Sequence, residues 1–218
     1  MTMRPVYVTL EKFPYFERVD VNFKFYQGHA YEQKILSIRS LHSAFKNLYP
    51  DKSVLEISTK SEDLLGSKLS AFNLPVKIPN SDKFALLESA YQGSKVFENG
   101  EPFTDLFERP ARYAKSDGRL RTSGKLIAFQ FDGEKFPLEP KNFFYNWLYI
   151  TALAAQKIFA EKVLNYDAFT DIAFNPQKSI STQAMAAAIF VGISRAGLLD
   201  AALKSKDDFL KIIYQGEC

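Results

Sequence analysis

Glu88, Gln92 and Lys95 stand at i, i+4 and i+7 in the segment Glu88-Ser89-Ala90-Tyr91-Gln92-Gly93-Ser94-Lys95. A helix through this segment puts the three side chains on one face, with Tyr91 at its border. A carboxylate there could steady a developing positive charge or activate water, because an anion helps only where positive charge grows. An ammonium could donate a proton, hold a ligand, or attack as an amine if a neighbouring ring desolvates it. The competing reading is an ordinary amphipathic helix. Leu86, Leu87, Ala90 and Phe97 occupy roughly the other side, and the polar stripe would then merely face water.

The elements that would position these residues read as follows. Val19, Val21, Phe23 and Phe25 alternate with Asp20, Asn22 and Lys24, which predicts a strand with one buried face in a β-type N-terminal segment. Ile35, Ile38, His42, Phe45 and Leu48 recur at helical spacing over 31–49 and stop at Pro50, with His42 a satisfied helix residue. A short strand is expected over 53–59, followed by a polar run whose Lys60 and Ser61 could contact phosphate. A helix is expected over 84–97, closed by Asn99-Gly100 as a C-cap pair. Residues 125–139 read as a hairpin around Asp132-Gly133. A long aromatic-rich helix over 142–165 and further helices over 182–196 and 207–214 complete the chain. Together these predict an α+β fold, mainly helical, with short strands and a β-hairpin, in one domain over 1–218.

The 218 residues, 46% hydrophobic and 24% charged, suffice for one compact domain with a substantial core. A formal net charge of +3, from 28 basic and 25 acidic residues, is too balanced to mark a nucleic-acid coat by charge alone. The 20 phenylalanines and 11 tyrosines are core volume first and base-stacking surfaces second. The same choice faces Trp147, which lies among Phe143, Phe144 and Tyr145 and could pack in the core or stack on a base. The single cysteine, Cys218, excludes an internal disulfide and suits a reducing compartment, with the cytoplasm as the expected location. Neither an export signal nor a membrane span is expected. His29, His42 and Cys218 cannot build the common zinc sites, so no metal and no cofactor are expected. G-x-x-x-x-G-K-[ST] and G-x-S-x-G are both missing from the sequence, which leaves P-loop and α/β-hydrolase chemistry without support. The turn over 171–176 reads as structural.

Leu69-Ser70-Ala71-Phe72-Asn73 precedes the Glu88 to Lys95 segment. In order and residue type this pair resembles the NADAR family, including YbiA-like proteins, in which a Leu-Ser-x-Phe segment is followed by E-x-x-x-Q-x-x-K. Asp117-Gly118-Arg119-Leu120, Trp147-Leu148-Tyr149 and Asp167-Ala168-Phe169-Thr170-Asp171-Ile172 are similar to the branch that accompanies DarT-type toxins. The family core would cover about 64–172 and the C-terminal helices 181–214. Ser89 stands where a histidine often follows the family glutamate. That departure leaves the general acid unassigned and argues against carrying the YbiA-like activity across.

The resemblance implies a fold that binds ADP-ribose-like ligands and, in the DarT-associated branch, removal of ADP-ribose from guanine in DNA by an antitoxin paired with a DarT-type toxin. Such cleavage builds oxocarbenium charge on the ribose and requires protonation of the leaving base nitrogen. The base would be reached in single-stranded or flipped form. Glu88 and Lys95 are the expected catalytic residues. Gln92, Ser70, Asn73 and Tyr91 are expected ligand contacts, and Arg119, or Lys60 with Ser61, could pair with pyrophosphate. Two other readings stay open: a YbiA-like N-glycosidase acting on small phosphorylated riboflavin-pathway intermediates, and a non-catalytic ADP-ribose-binding module.

Overall fold

A computed structural model describes residues 2–28, 30–98, 100–174 and 182–215. His29, Cys218, Asn99 and the 171–176 turn beyond Phe174 lie outside these residues, so the expected Asn99-Gly100 helix end is not described. The architecture is mixed α+β with more helix than strand, as the sequence predicts.

Strands β1 (Thr2–Thr9) and β2 (Phe16–Phe23) form an antiparallel hairpin in register from Thr2 opposite Phe23 to Thr9 opposite Phe16. Val21 and Phe23 point into the core as the alternation requires, while Phe25 packs on the same cluster from beyond the strand end. Helix α1 (Tyr31–Leu48) lays Ile35, Ile38, Leu41 and Phe45 over this sheet, covering Val6, Val8, Val21 and Phe23. Strand β3 (Val54–Glu56) leads to the short helix α2 (Leu64–Lys68), whose first turn is capped by the Asp63 carboxylate accepting from the Leu65 amide at 2.8 Å.

The expected helix over 84–97 is corrected by three elements. Strand β4 (Pro75–Lys77) pairs antiparallel with β5 (Phe84–Leu86), with Val76 opposite Ala85, so residues 84–86 are extended. Helix α3 then spans only Leu87–Gly93. Gly93 packs against Phe107, where an added Cβ would lie 2.7 Å from the ring, and the Ser94 hydroxyl donates to the Ala90 carbonyl at 2.7 Å. From there β6 (Lys95–Phe97) pairs antiparallel with β7 (Leu126–Phe131). Pairing on both sides overrides the helical periodicity of the segment.

A 3₁₀ turn (Thr104–Glu108), α4 (Ala111–Ser116) and α5 (Arg119–Thr122) connect β6 to β7. Strand β8 (Glu134–Phe136) closes the predicted hairpin around Asp132 and Gly133, both at positive φ. The expected long helix over 142–165 is two helices, α6 (Phe143–Ala155) and α7 (Lys157–Val163), broken at Gln156. Burial explains the break. Helix α6 is covered on most sides, whereas α7 runs along the surface with Lys157, Glu161 and Lys162 outward. Strand β9 (Ala168–Thr170) pairs antiparallel with β1 and parallel with β3, and among the described residues the largest sheet has the order β2-β1-β9-β3. Helix α8 (Gln183–Arg195) is buried along nearly its whole length and meets the β1–β2 hairpin at Gly192, where a Cβ would lie 2.4 Å from the Leu10 carbonyl. Helices α9 (Leu199–Ala202) and α10 (Lys206–Tyr214) finish the core, with Phe209 and Ile213 inward.

Candidate active site

A cavity of about 450 Å³ opens among α3, β6, α4, α6, the end of β3, the residues after β9 and the start of α8. That volume lies within the range of small-ligand sites. Glu88, Tyr91, Gln92, Lys95 and Ser70 all line it.

Glu88 and Gln92 are only 6% and 7% exposed, so the polar stripe of α3 turns inward. One helical turn apart, they meet: Gln92 Nε2 donates to Glu88 Oε1 at 2.9 Å. That bond orients the amide, because only its nitrogen can donate to the carboxylate. Gln92 Oε1 is thereby left buried without a protein donor, an acceptor for a ligand hydroxyl or N–H. Lys95 reaches the cavity from strand β6 rather than from a longer helix. Its Nζ lies 5.3 Å from the Tyr91 ring centroid. Burial pulls the Lys95 ammonium below its ordinary pKa, Glu88 opposes the shift and Lys115 adds to it. Lys115 comes from α4, with Nζ 3.4 Å from Glu88 Oε1 and 5.2 Å from the Phe72 ring centroid. Tyr91 stacks on Phe129 at 5.3 Å and meets Tyr145 edge-on at 5.1 Å, which fixes the apolar floor beneath the amine. Burial raises the Tyr145 hydroxyl well above its usual range.

The rest of the lining is carboxyl and amide. Gln183 accepts from the Ala71 amide at 2.7 Å and donates to the Ile57 carbonyl at 2.6 Å and to Asp171 Oδ2 at 2.9 Å. It thus ties α8 to the end of β3 and to the Ser70–Phe72 turn. The turn is held as well by Tyr149, whose hydroxyl donates to the Leu69 carbonyl at 2.9 Å. Asp171 Oδ1 accepts from the Ala173 and Phe174 amides at 3.0 and 3.1 Å. Burial first, and then the charge of Glu56, pushes the Asp171 carboxyl up to about 7. Glu56 is itself raised, chiefly by burial, although it accepts from the Thr170 hydroxyl at 2.6 Å and the Ile172 amide at 2.8 Å.

The remaining sequence expectations fall elsewhere. Asn73 is exposed, and its amide donates to the Ser67 carbonyl at 2.8 Å. Lys60 sits 5.7 Å from the Tyr31 ring centroid and Ser61 is buried beside Gly66, while their neighbours Ser58 and Thr59 line the cavity. Arg119 pairs with Asp105 at 2.8 Å and Asp117 at 3.0 Å over the Phe103 ring, beside a separate surface cleft. Trp147 packs against Phe136 at 4.9 Å and Phe131 at 6.2 Å in the aromatic core. Sequence reasoning missed Lys115, Tyr145, Asp171 and Gln183. Asp171, read as part of a structural turn, lines the cavity; its place in the segment similar to the DarT-associated branch, and the polar Gln183 opening an alanine-rich helix, were the signals available. Among the described residues no group of three or more His, Cys, Asp and Glu side chains is placed to hold a metal ion, and no helix is long and apolar enough to cross a membrane.

A mixed α+β domain with a carboxylate, an amide and a desolvated amine gathered in one small-ligand cavity accords with the resemblance of the sequence to the NADAR proteins, a family known for N-glycosidase activity. The family described as DarT1-associated NADAR antitoxin matches residues 2–218, and the chain belongs to it. No curated protein matches the chain.

Proposed function

We propose that this protein is an ADP-ribosyl glycohydrolase that hydrolyses the N-glycosidic bond between ADP-ribose and guanine in DNA, reversing the modification made by a DarT-type toxin in the cytoplasm. The observation that carries the reading is the convergence of Glu88, Gln92 and Lys95 on one cavity of ligand size. Glu88 places negative charge where the ribose becomes an oxocarbenium ion. Gln92 offers its partnerless Oε1 to a ribose hydroxyl. Lys95, desolvated against Tyr91, engages the anomeric carbon as an amine more readily deprotonated than an exposed lysine. The target base enters unpaired, since the modified bond is otherwise enclosed in the duplex.

Incubating the protein with DNA carrying ADP-ribose on guanine and measuring free ADP-ribose tests this directly. Glu88→Gln is expected to lower kcat about 10²–10³-fold, the usual loss when one electrostatic contact to the transition state is removed. Lys95→Ala is expected to fall at least as far. Near-normal turnover in either variant removes that residue from the mechanism. Turnover of small phosphorylated riboflavin-pathway intermediates in place of the DNA, or protection by binding alone with Glu88→Gln, sinks the reading.

A further inference from the structure

Cleaving ribose from a base amine needs a proton for the leaving nitrogen; Glu88 and Lys95 are already engaged with the ribose in the reading above, and the Ser89 hydroxyl is turned away to donate to the Arg109 carbonyl at 2.8 Å. Among the described residues the cavity holds one other carboxyl, on Asp171. Its surroundings differ in kind from those of Glu88. Among the described residues, Oδ1 is occupied by two backbone donors, the Ala173 and Phe174 amides, and Oδ2 receives the Gln183 amide. A proton on this carboxyl therefore resides on Oδ2, the oxygen with fewer donors. Glu56 lies buried outside the lining, 1% exposed, and is held by the Thr170 hydroxyl in the neighbouring strand and the Ile172 amide just beyond it. Burial and the charge of Glu56 together raise the Asp171 carboxyl.

We infer that Asp171 is the catalytic acid that protonates the leaving base, and that Glu56 is a positioning residue that keeps Asp171 protonated. The inference rests on the glycohydrolase reading above. In the step itself, the ribose C1′–N bond breaks with its electron pair remaining on the base nitrogen, which takes the proton from Asp171 Oδ2. Over the whole cycle water supplies the hydroxyl left on C1′ and the proton that restores Asp171. The other titratable groups that act on Asp171 or its partners are Tyr7 from β1, Tyr145 and Tyr149 from α6, and His42 from α1, whose Nε2 lies 2.8 Å from the Thr170 hydroxyl. Burial raises all three tyrosines and holds His42 down at about 4, so at neutral pH they are uncharged, and among the described residues Glu56 is the charge that, after burial, raises Asp171.

The test compares two leaving groups on the same ADP-ribose: guanine in DNA, which must be protonated, and para-nitrophenoxide, which leaves unaided. For the wild-type protein on DNA, kcat is expected to fall as pH rises through about 7, the value to which Asp171 is raised, and to show no such fall with para-nitrophenoxide. Asp171→Asn is expected to lose about 10²–10⁴-fold on DNA and to stay within a few-fold of wild type on the activated substrate. Glu56→Gln should keep turnover at low pH and move the fall on DNA to lower pH, because the charge that raises Asp171 is gone. The wild-type comparison alone decides if a variant fails to fold. An equal pH limb on both substrates, or an Asp171→Asn protein with normal turnover on DNA, overturns the role of Asp171 and leaves the glycohydrolase reading standing. A wild-type protein that cleaves neither substrate overturns both.

Discussion

On α3, Glu88 accepts from the Gln92 amide with the Lys115 ammonium 3.4 Å away and the Lys95 amine sharing the cavity. After β9, Asp171 accepts from neutral donors among the described residues, and a second carboxyl, Glu56, acts on it. The two acids line one cavity and differ in the groups around them. The Lys115 ammonium stands beside Glu88, whereas burial and the charge of Glu56 raise the Asp171 carboxyl. An enzyme that must meet positive charge on a sugar and donate a proton to a base needs one acid of each kind. The pair also shows how Lys95 is tuned: burial lowers it while Glu88 holds it up, so the anion limits how far the amine drifts from its charged form.

The strongest way to break this contrast is through Gln183, which joins the acid-rich part of the lining to the Ser70–Phe72 turn. Gln183→Leu strands the Ala71 amide, the Ile57 carbonyl and Asp171 Oδ2, and is expected to cost about 3 kcal/mol or more, read as a lower denaturant midpoint. His42 sharpens the contrast from beneath Glu56. Its pKa is lowered from 6.5 to about 4 by burial, so its contribution is whole above pH 6.5 and is lost as pH falls through about 4. That shift amounts to roughly 3 kcal/mol. The stability difference between wild type and His42→Gln should therefore be constant above pH 6.5 and shrink below it; a difference that ignores pH refutes the linkage. On the cationic part, Lys115 is 57% exposed along its side chain. Lys115→Ala is expected to raise KM up to about five-fold with kcat little changed, the scale of a solvent-screened charge. The smallest effect belongs to a pair far from the cavity. Lys83 and Glu108 lie 2.7 Å apart but are about two-thirds exposed, and Lys83→Ala should shift stability by less than about 0.5 kcal/mol.

Local pattern carried much of the fold. The period-3.6 spacing of Ile35, Ile38 and Phe45 produced α1, and Asp132-Gly133 produced the β7–β8 turn, because each signal is complete within a few neighbouring residues. Contacts from afar decided the exceptions. Residues 84–86 and 95–97 are helical in spacing yet extended in the fold, because Val76 and Ala128 offer them strand partners. The segment over 142–165 broke where one half was buried and the other was left on the surface.

In the site, spacing along one helix sufficed to join Glu88 with Gln92, whose bond spans a single turn. The chain by itself therefore determined the acid–amide pair and its short-range geometry. Only tertiary structure decided that this face turns inward, that Lys95 arrives on a strand, and that Asp171 belongs to the same cavity. The parallel pairing of β3 with β9 sets Glu56 opposite Thr170, 114 positions away in sequence. Residues so far apart leave no periodic mark on the sequence, and the charge of one on the other exists only after the strands have paired and water has been excluded.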